Sequence, residues 1–279
     1  MLKIPKIVEA ILNEYKGLFN EYLPNELEGL YLHGSIALDA FEKGRSDIDF
    51  IAVTSRHLTE DEAGILSKIH RIIAQKYKTP EMDGVYITWG DLGKVKNDHQ
   101  NHFYYNSGNL SLGPYFNFNP VTWSLFAKKG ITVLGPASSD FELEFPPKQL
   151  QSYVFANMNT YWANRVQWLE SSFDELLSMS SNDIREEIEW TVLGLLRQYY
   201  TLAEDDIISK TGAGRYGLSH MPKEYHQIIN EAVRTRTGDK ETLYSSNKAR
   251  LFSAISFSKY LIDDSQRFQF IYRLGKYPD

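Results

Sequence analysis

No cysteine occurs in the 279 residues, which removes disulfides, thiolate metal sites and thiol nucleophiles from consideration. Long apolar runs are missing too. The opening MLKIPKIVEAILNEYKGLFNEYL comes nearest, with Ile4, Ile7, Val8, Ile11, Leu12, Tyr15, Leu18, Phe19 and Tyr22 at helix spacing, but charged residues interrupt it throughout. It reads as neither a signal peptide nor a membrane span, and a cytoplasmic protein with no membrane partner is expected. Positive charge is in short supply: 30 Lys and Arg stand against 36 Asp and Glu, a net charge of -6 with a pI near 5.7. Extended nucleic-acid binding is therefore not expected, because neutralising many phosphates needs a basic face. A cationic or metal-bridged small ligand is easy to accommodate. What remains is an ordinary globular composition, 42% hydrophobic and 24% charged, long enough to bury one large core or two modest ones.

The periodicity of the chain changes near residue 150. Before it, the first helix is followed by a short strand at Leu30 to Leu32, a short helix at Ile36 to Phe41 and a strand at Asp47 to Val53. Helix spacing returns over Thr59 to Lys76, and GVYITW (Gly84 to Trp89) is β-branched and aromatic, hence a third strand. The stretch from His99 to Gln149 is mixed, with a helix expected at Val121 to Lys129 and a strand at Ile131 to Leu134. After it, Leu150 to Met179, Ile184 to Ala203, Lys223 to Arg236 and Lys240 to Phe268 are all helix-periodic, without strand-like alternation. The expected fold class is α+β: a domain with a mixed sheet and helices over 1–150, then an α-helical bundle domain over 151–279.

The chemistry concentrates in LYLHGSIALDAFEKGRSDIDFIAVT, residues 30 to 54. A half-buried strand hides one face by alternation, and here the polar members at its start, Asp47 and Asp49, are both acids. Residues i and i+2 of a strand share a face, about 7 Å apart at Cα. Two carboxylates held so close are stabilised by a divalent cation, and magnesium suits one or two carboxylates plus substrate phosphates. Upstream, Gly34 can adopt positive φ at the end of the first strand, and Ser35 falls where a helix begins, with its N–H and hydroxyl able to face an anion. The alternative is a solvated strand face beside a plain turn.

Taken together, Gly34-Ser35 followed by Ser46-Asp47-Ile48-Asp49 resembles the signature of the polymerase-β-type nucleotidyltransferase superfamily. More narrowly, the chain resembles the aminoglycoside (streptomycin/spectinomycin) adenylyltransferases, whose second domain is a helical bundle. NPVTWSLFAKKGITVLGP (119 to 136) and WTVLGLLRQYYTLAEDDIISKTGAGRYG (190 to 217) look like segments of that family. The resemblance implies transfer of AMP from Mg-ATP to a hydroxyl of a small cationic antibiotic by a monomer. Asp47 and Asp49 hold magnesium in that scheme, and a third acid serves as general base. Asp83 in PEMDGVYI is the match for that base, where the family usually has glutamate; Glu81, two residues earlier, competes.

For the nucleotide, the resemblance points to Gly34, Ser35 and Ser46 near the phosphates and to Arg197 and Lys210 in the bundle. Asn119 falls where the family has an acid, and Arg236 where it often has an aromatic. For the substrate it points to Glu187, Trp190 and Tyr105. Streptomycin-using members carry a middle-region tryptophan where HFYYNSGN offers Tyr104 and Tyr105, which favours spectinomycin. A protein or other hydroxyl acceptor, and a weakly catalytic nucleotide sensor, remain alternative readings.

Three patterns have plainer readings. GAGRYG (212 to 217) matches Gly-x-Gly-x-x-Gly, but a helical run precedes it where a dinucleotide site needs a strand, so a flexible connection is expected. His99 and His102 in HQNH have ligand-like spacing but no obvious third ligand. Val154, Met158, Tyr161 and Trp168 recur at helix spacing as core, and the run Glu186-Glu187-Ile188-Glu189 reads as a solvated face apart from the rival reading of Glu187.

Overall fold

The computed structural model describes residues 4–95 and 100–273. The chain divides between Phe145 and Pro146 into two compact units.

The first unit is built on a six-stranded mixed sheet in the order β5-β4-β3-β2-β1-β6, comprising β1 Leu27–Leu32, β2 Ile48–Thr54, β3 Met82–Ile87, β4 His102–Asn106, β5 Asn109–Gly113 and β6 Ile131–Leu134. Only β2 and β3 run parallel; every other neighbouring pair is antiparallel. Among the described residues, four α-helices belong to this unit: α1 Lys6–Tyr22, the single turn α2 Gly34–Ala37, α3 Glu60–Lys76 and α4 Pro120–Lys129. Both faces of the central strands are covered, which is why β2 is buried at every position except Asp49.

Alternation sorts those strands into two cores. Leu30, Leu32, Phe50, Ala52 and Tyr86 pack with Val8, Ile11, Tyr15 and Phe19 of α1 and Leu66, Ile69 and Ile73 of α3. Tyr31, Ile51, Val53, Val85 and Ile87 face the other way, against Trp123 and Phe126 of α4. Each such side chain, fully withdrawn from water, contributes about 1.5–3 kcal/mol. The start of α3 is fixed by a reciprocal capping box between Thr59 and Glu62.

The hairpin of β4 and β5 is absent from the sequence reading. Its turn is Ser107-Gly108, both at positive φ, the two-residue loop whose twist suits adjoining antiparallel strands. Ser-Gly between short runs was the available signal, obscured by the polar residues around it.

The second unit is entirely helical: α5 Pro147–Asn157, a π-helical turn at Met158–Trp162, α6 Ala163–Ser171, α7 Phe173–Leu176, α8 Ser181–Glu204, α9 Lys210–His220, α10 His226–Arg236 and α11 Asn247–Arg273. Its centre is α8, which packs against α5, α9, α10 and α11. Three expectations are corrected here. GAGRYG is not a flexible connection but lies within α9, where a side chain at Gly214 would collide with Val233 of α10, so the glycine permits close helix packing. Residues 240–246 are irregular, and the last helix starts at Asn247. Val154 and Met158 are core, but Tyr161 and Trp168 are 50% and 44% exposed, because the π-helical turn shifts the register of the stripe. Among the described residues, no helix is long and apolar enough to cross a membrane.

Candidate active site

Parallel pairing of β2 and β3 sets Asp49 directly opposite Asp83. By alternation both project to the face of Ile51, Val53, Val85 and Ile87, at the strand ends where that core runs out. Asp47 is exposed and precedes the pairing, which begins at Ile48 rather than at Asp47 as the sequence suggested. It remains close enough to act on Asp83. Burial, above all, pushes the Asp83 carboxyl up to about 7; Asp49 adds to the rise, a hydrogen bond from Asn106 opposes it, and Asp47 and Glu81 contribute further.

The two oxygens of Asp83 differ. Oδ2 accepts a hydrogen bond from the Asn106 side-chain amide, whereas Oδ1 is buried with no hydrogen-bond partner. Asn106 was missed in the sequence, though it shares a face with Tyr104 by strand alternation once β4 is recognised. Glu81 is exposed and outside β3, and its backbone carbonyl accepts from the Ile48 N–H at 2.8 Å.

Gly34 lies against the same acids. Its φ is +60°, and a Cβ there would collide with the Asp49 carboxylate, so both conformation and space require glycine. The preceding residue, His33, is buried, and its N–H donates to the Asp49 carbonyl at 3.1 Å, tying the Gly-Ser turn to the strand bearing the acid. Ser35 Oγ is buried without a hydrogen-bond partner. Ser46 is buried, and its hydroxyl accepts from the Glu42 N–H at 3.0 Å, which braces the loop entering Asp47. Asn119 is the N-cap of α4: its Oδ1 accepts from the N–H groups of Val121 and Thr122, each at 3.0 Å. Whatever it offers a nucleotide must come from its NH2 group.

Within the bundle, the three basic residues singled out in the sequence converge from α8, α9 and α10. The Lys210 ammonium lies 3.2 Å from one oxygen of Glu189 and 3.4 Å from the other, and Arg236 approaches the same carboxylate at 3.7 Å. Arg197 donates to the Ile208 carbonyl at 2.9 Å, at the foot of α9. Burial holds the Lys210 ammonium below the ordinary lysine range; Glu189 opposes this, and Arg236 and Arg197 reinforce it. Glu189 is 8% exposed, so the acidic run containing it is not a solvated face throughout.

Glu187 and Trp190 are brought together by a residue the sequence reading passed over. Arg165 forms an ion pair with Glu187, and its guanidinium lies 4.1 Å from the centre of the Trp190 ring. Glu187 also accepts from the Thr191 hydroxyl at 3.0 Å. A ligand cation must share this place with Arg165. Tyr105 is corrected. Paired with Gly84, it points to the opposite sheet face from Asp49 and Asp83, and its ring stacks on His70 of α3 at 3.7 Å between centroids. Tyr104, one residue earlier, takes the face of the acids. His99 lies outside the described residues.

The acids fit a divalent cation on physical grounds. Burial raises Asp83 most, and the neighbouring carboxylates of Asp49 and Asp47 add to the rise; a bound cation would relieve that repulsion, and carboxylate oxygens are donors of the kind magnesium takes. Acids beside a Gly-Ser turn that approaches them this closely are the arrangement that the resemblance to nucleotidyltransferases implies. Residues 164–260 match the family model for the aminoglycoside adenylyltransferase C-terminal domain. The fold of the chain is similar to that of the spectinomycin adenyltransferase AAD(9) from Enterococcus faecialis, crystallised with ATP and spectinomycin. That likeness has a TM-score of 0.66 at 19% identity and covers 91% of this chain and 99% of the other. No curated protein sequence matches.

Proposed function

We propose that the protein transfers AMP from Mg-ATP to a hydroxyl of a cationic aminoglycoside-type antibiotic, spectinomycin in preference to streptomycin, and so confers resistance as a cytoplasmic monomer. The observation that carries this reading is the Asp49–Asp83 register, with Asp83 Oδ1 buried and unpartnered. The likeness to the spectinomycin adenyltransferase AAD(9), crystallised with ATP and spectinomycin, supports the choice of acceptor.

Asp47 and Asp49 are the residues to hold magnesium, which supplies charge stabilisation at the phosphates and eases ionisation of the acceptor hydroxyl. Asp83 removes the hydroxyl proton at Oδ1 while Asn106 steadies Oδ2. The acceptor oxygen then forms its bond to the α-phosphorus, and the bond to the pyrophosphate oxygen breaks. Burial, the largest cause of the raised Asp83 carboxyl, acts with or without the ion and favours proton acceptance at this position. Ser35 presents an unsatisfied hydroxyl to the phosphates, and Gly34 permits their approach to the acids. Within the bundle, the resemblance assigns Arg197, Lys210 and Arg236 to the nucleotide and Glu187 and Trp190 to a substrate ammonium, with Arg165 as the internal cation it replaces.

The direct test is incubation of pure protein with Mg-ATP and a panel of aminoglycosides, followed by mass spectrometry. A mass increase of one AMP on spectinomycin, and not on streptomycin, is expected; AMP on a protein acceptor alone overturns the proposal. Lys210→Ala is expected to weaken ATP binding roughly 10–100-fold, the range for losing a charged hydrogen bond, without altering which acceptor is used. Calorimetry giving equal ATP affinity for both proteins removes Lys210 from the site.

A further inference from the structure

The opposite end of the sheet carries a second cluster of ligating side chains that the transfer reaction does not use. Because β2 and β3 are parallel, their C-terminal ends lie together, and antiparallel β4 begins beside them. His57 follows β2, Asp91 ends the short 3-10 turn after β3, and His102 opens β4. Five residues of strand separate Asp83 from Thr88, about 16 Å at strand rise, so this cluster is distinct from the catalytic acids. One donor atom from each of His57, Asp91 and His102 lies within 4.8 Å of the others.

His102 is the unusual member. It is 1% exposed, and neither ring nitrogen makes a hydrogen bond of good geometry, the Tyr86 backbone lying near enough only to raise its pKa somewhat. Leaving such a group unsatisfied costs about 1–3 kcal/mol, whereas a metal ion accepts its lone pair. Burial also holds this imidazole below the usual histidine range, with Asp91 opposing, and the neutral ring is the form that ligates.

Asp91 is 2% exposed and stays ionised: burial pushes its pKa up, but hydrogen bonds from Thr88 and Lys94 outweigh that and hold it low. Its Oδ2 accepts from the Thr88 N–H at 3.0 Å and the Thr88 hydroxyl at 2.8 Å, and Lys94 lies 3.2 Å from Oδ1. Such outer partners orient a ligating carboxylate. His57 is the adjustable member, 49% exposed, with Nε2 3.6 Å from Asp91 Oδ2 and 2.7 Å from the Gln100 side-chain nitrogen. Donors on one zinc ion sit roughly 3.3–3.6 Å apart given its bond lengths, a contraction that rotation of His57 away from Gln100 supplies.

We propose that His57, Asp91 and His102 bind one zinc-type divalent ion, which fastens the segment after β2 to the β3 and β4 ends, with water as the fourth ligand. Two imidazoles and one carboxylate favour zinc over magnesium, which prefers oxygen donors.

The test is titration of the tag-free, chelator-treated full chain with Zn²⁺ in the absence of ATP, followed by calorimetry and by the visible bands of tetrahedral Co²⁺. One Zn²⁺ per chain is expected, not displaced by excess Mg²⁺, with a rise in melting temperature. His57→Ala, at an exposed position, is expected to fold and to lower Zn²⁺ affinity by at least the ~10–100-fold that even outer-shell changes cost. Asp49→Asn, which removes a catalytic acid, is expected to leave Zn²⁺ affinity unchanged. Absence of Zn²⁺ binding, full affinity in His57→Ala, or loss of affinity in Asp49→Asn would each overturn the site.

Discussion

Asp49→Asn is expected to yield a folded protein with no detectable AMP transfer, and Asp47→Asn to do the same. The substitution is nearly isosteric, and Asp49 is the one position of β2 that is not fully buried, so the strand pairing with β1 and β3 has no reason to fail. What is lost is charge. With either acid neutral, the strand end no longer offers the carboxylate pair proposed to hold magnesium. Asp49→Asn carries a second signature: it removes the largest charge raising Asp83, so the Asp83 carboxyl should titrate lower in this variant. Turnover, melting temperature and the Asp83 titration followed by NMR check these points together. Near-normal turnover in both variants, with unchanged melting, would show that the pair is not the metal site.

The acids were legible because strand periodicity and chemistry agree at one place. Asp47 and Asp49 interrupt a run that is otherwise apolar, and Gly34-Ser35 stands where a strand must turn. The bundle was legible for a similar reason, the persistence of helix spacing after residue 150. What sequence spacing could not supply was which way a side chain faces across an unrecognised strand. With β4 unread, Tyr105 and Tyr104 were interchangeable, and only pairing with Gly84 and Val85 assigns them to opposite faces. Asn106 was invisible on the same account. The convergence of Lys210 and Arg236 on Glu189, with Arg197 near Lys210, depends on three helices packing, which no local pattern encodes. The two histidines and Asp91 are likewise joined only by strand direction, since 45 residues separate the first from the last by their numbering.

Asp83→Asn is expected to keep ATP and acceptor bound while transfer falls by roughly 10²–10⁴-fold, the usual contribution of a positioned base. Asparagine can still accept the Asn106 hydrogen bond but cannot take a proton at the position of Oδ1. In the metal-free protein the carboxyl reports itself through stability. Its folded pKa, about 7, lies above the ordinary 3.8, so between those values the native chain holds a proton that the unfolded chain has released. The resulting stability is fully present below about pH 4 and is lost as pH rises through about 7. Relative to wild type, Asp83→Asn should therefore gain stability between pH 5 and pH 8, by at most about 3 kcal/mol and by less with solvent screening. Chemical denaturation at the two pH values measures this directly. Asp83→Glu, which places the family's usual acid on β3, is expected to remain active, and Glu81→Gln to matter little because that side chain is exposed beyond the strand. A dead Glu81→Gln beside a healthy Asp83→Asn would move the base two residues upstream and break the link between the Asp49 register and proton removal.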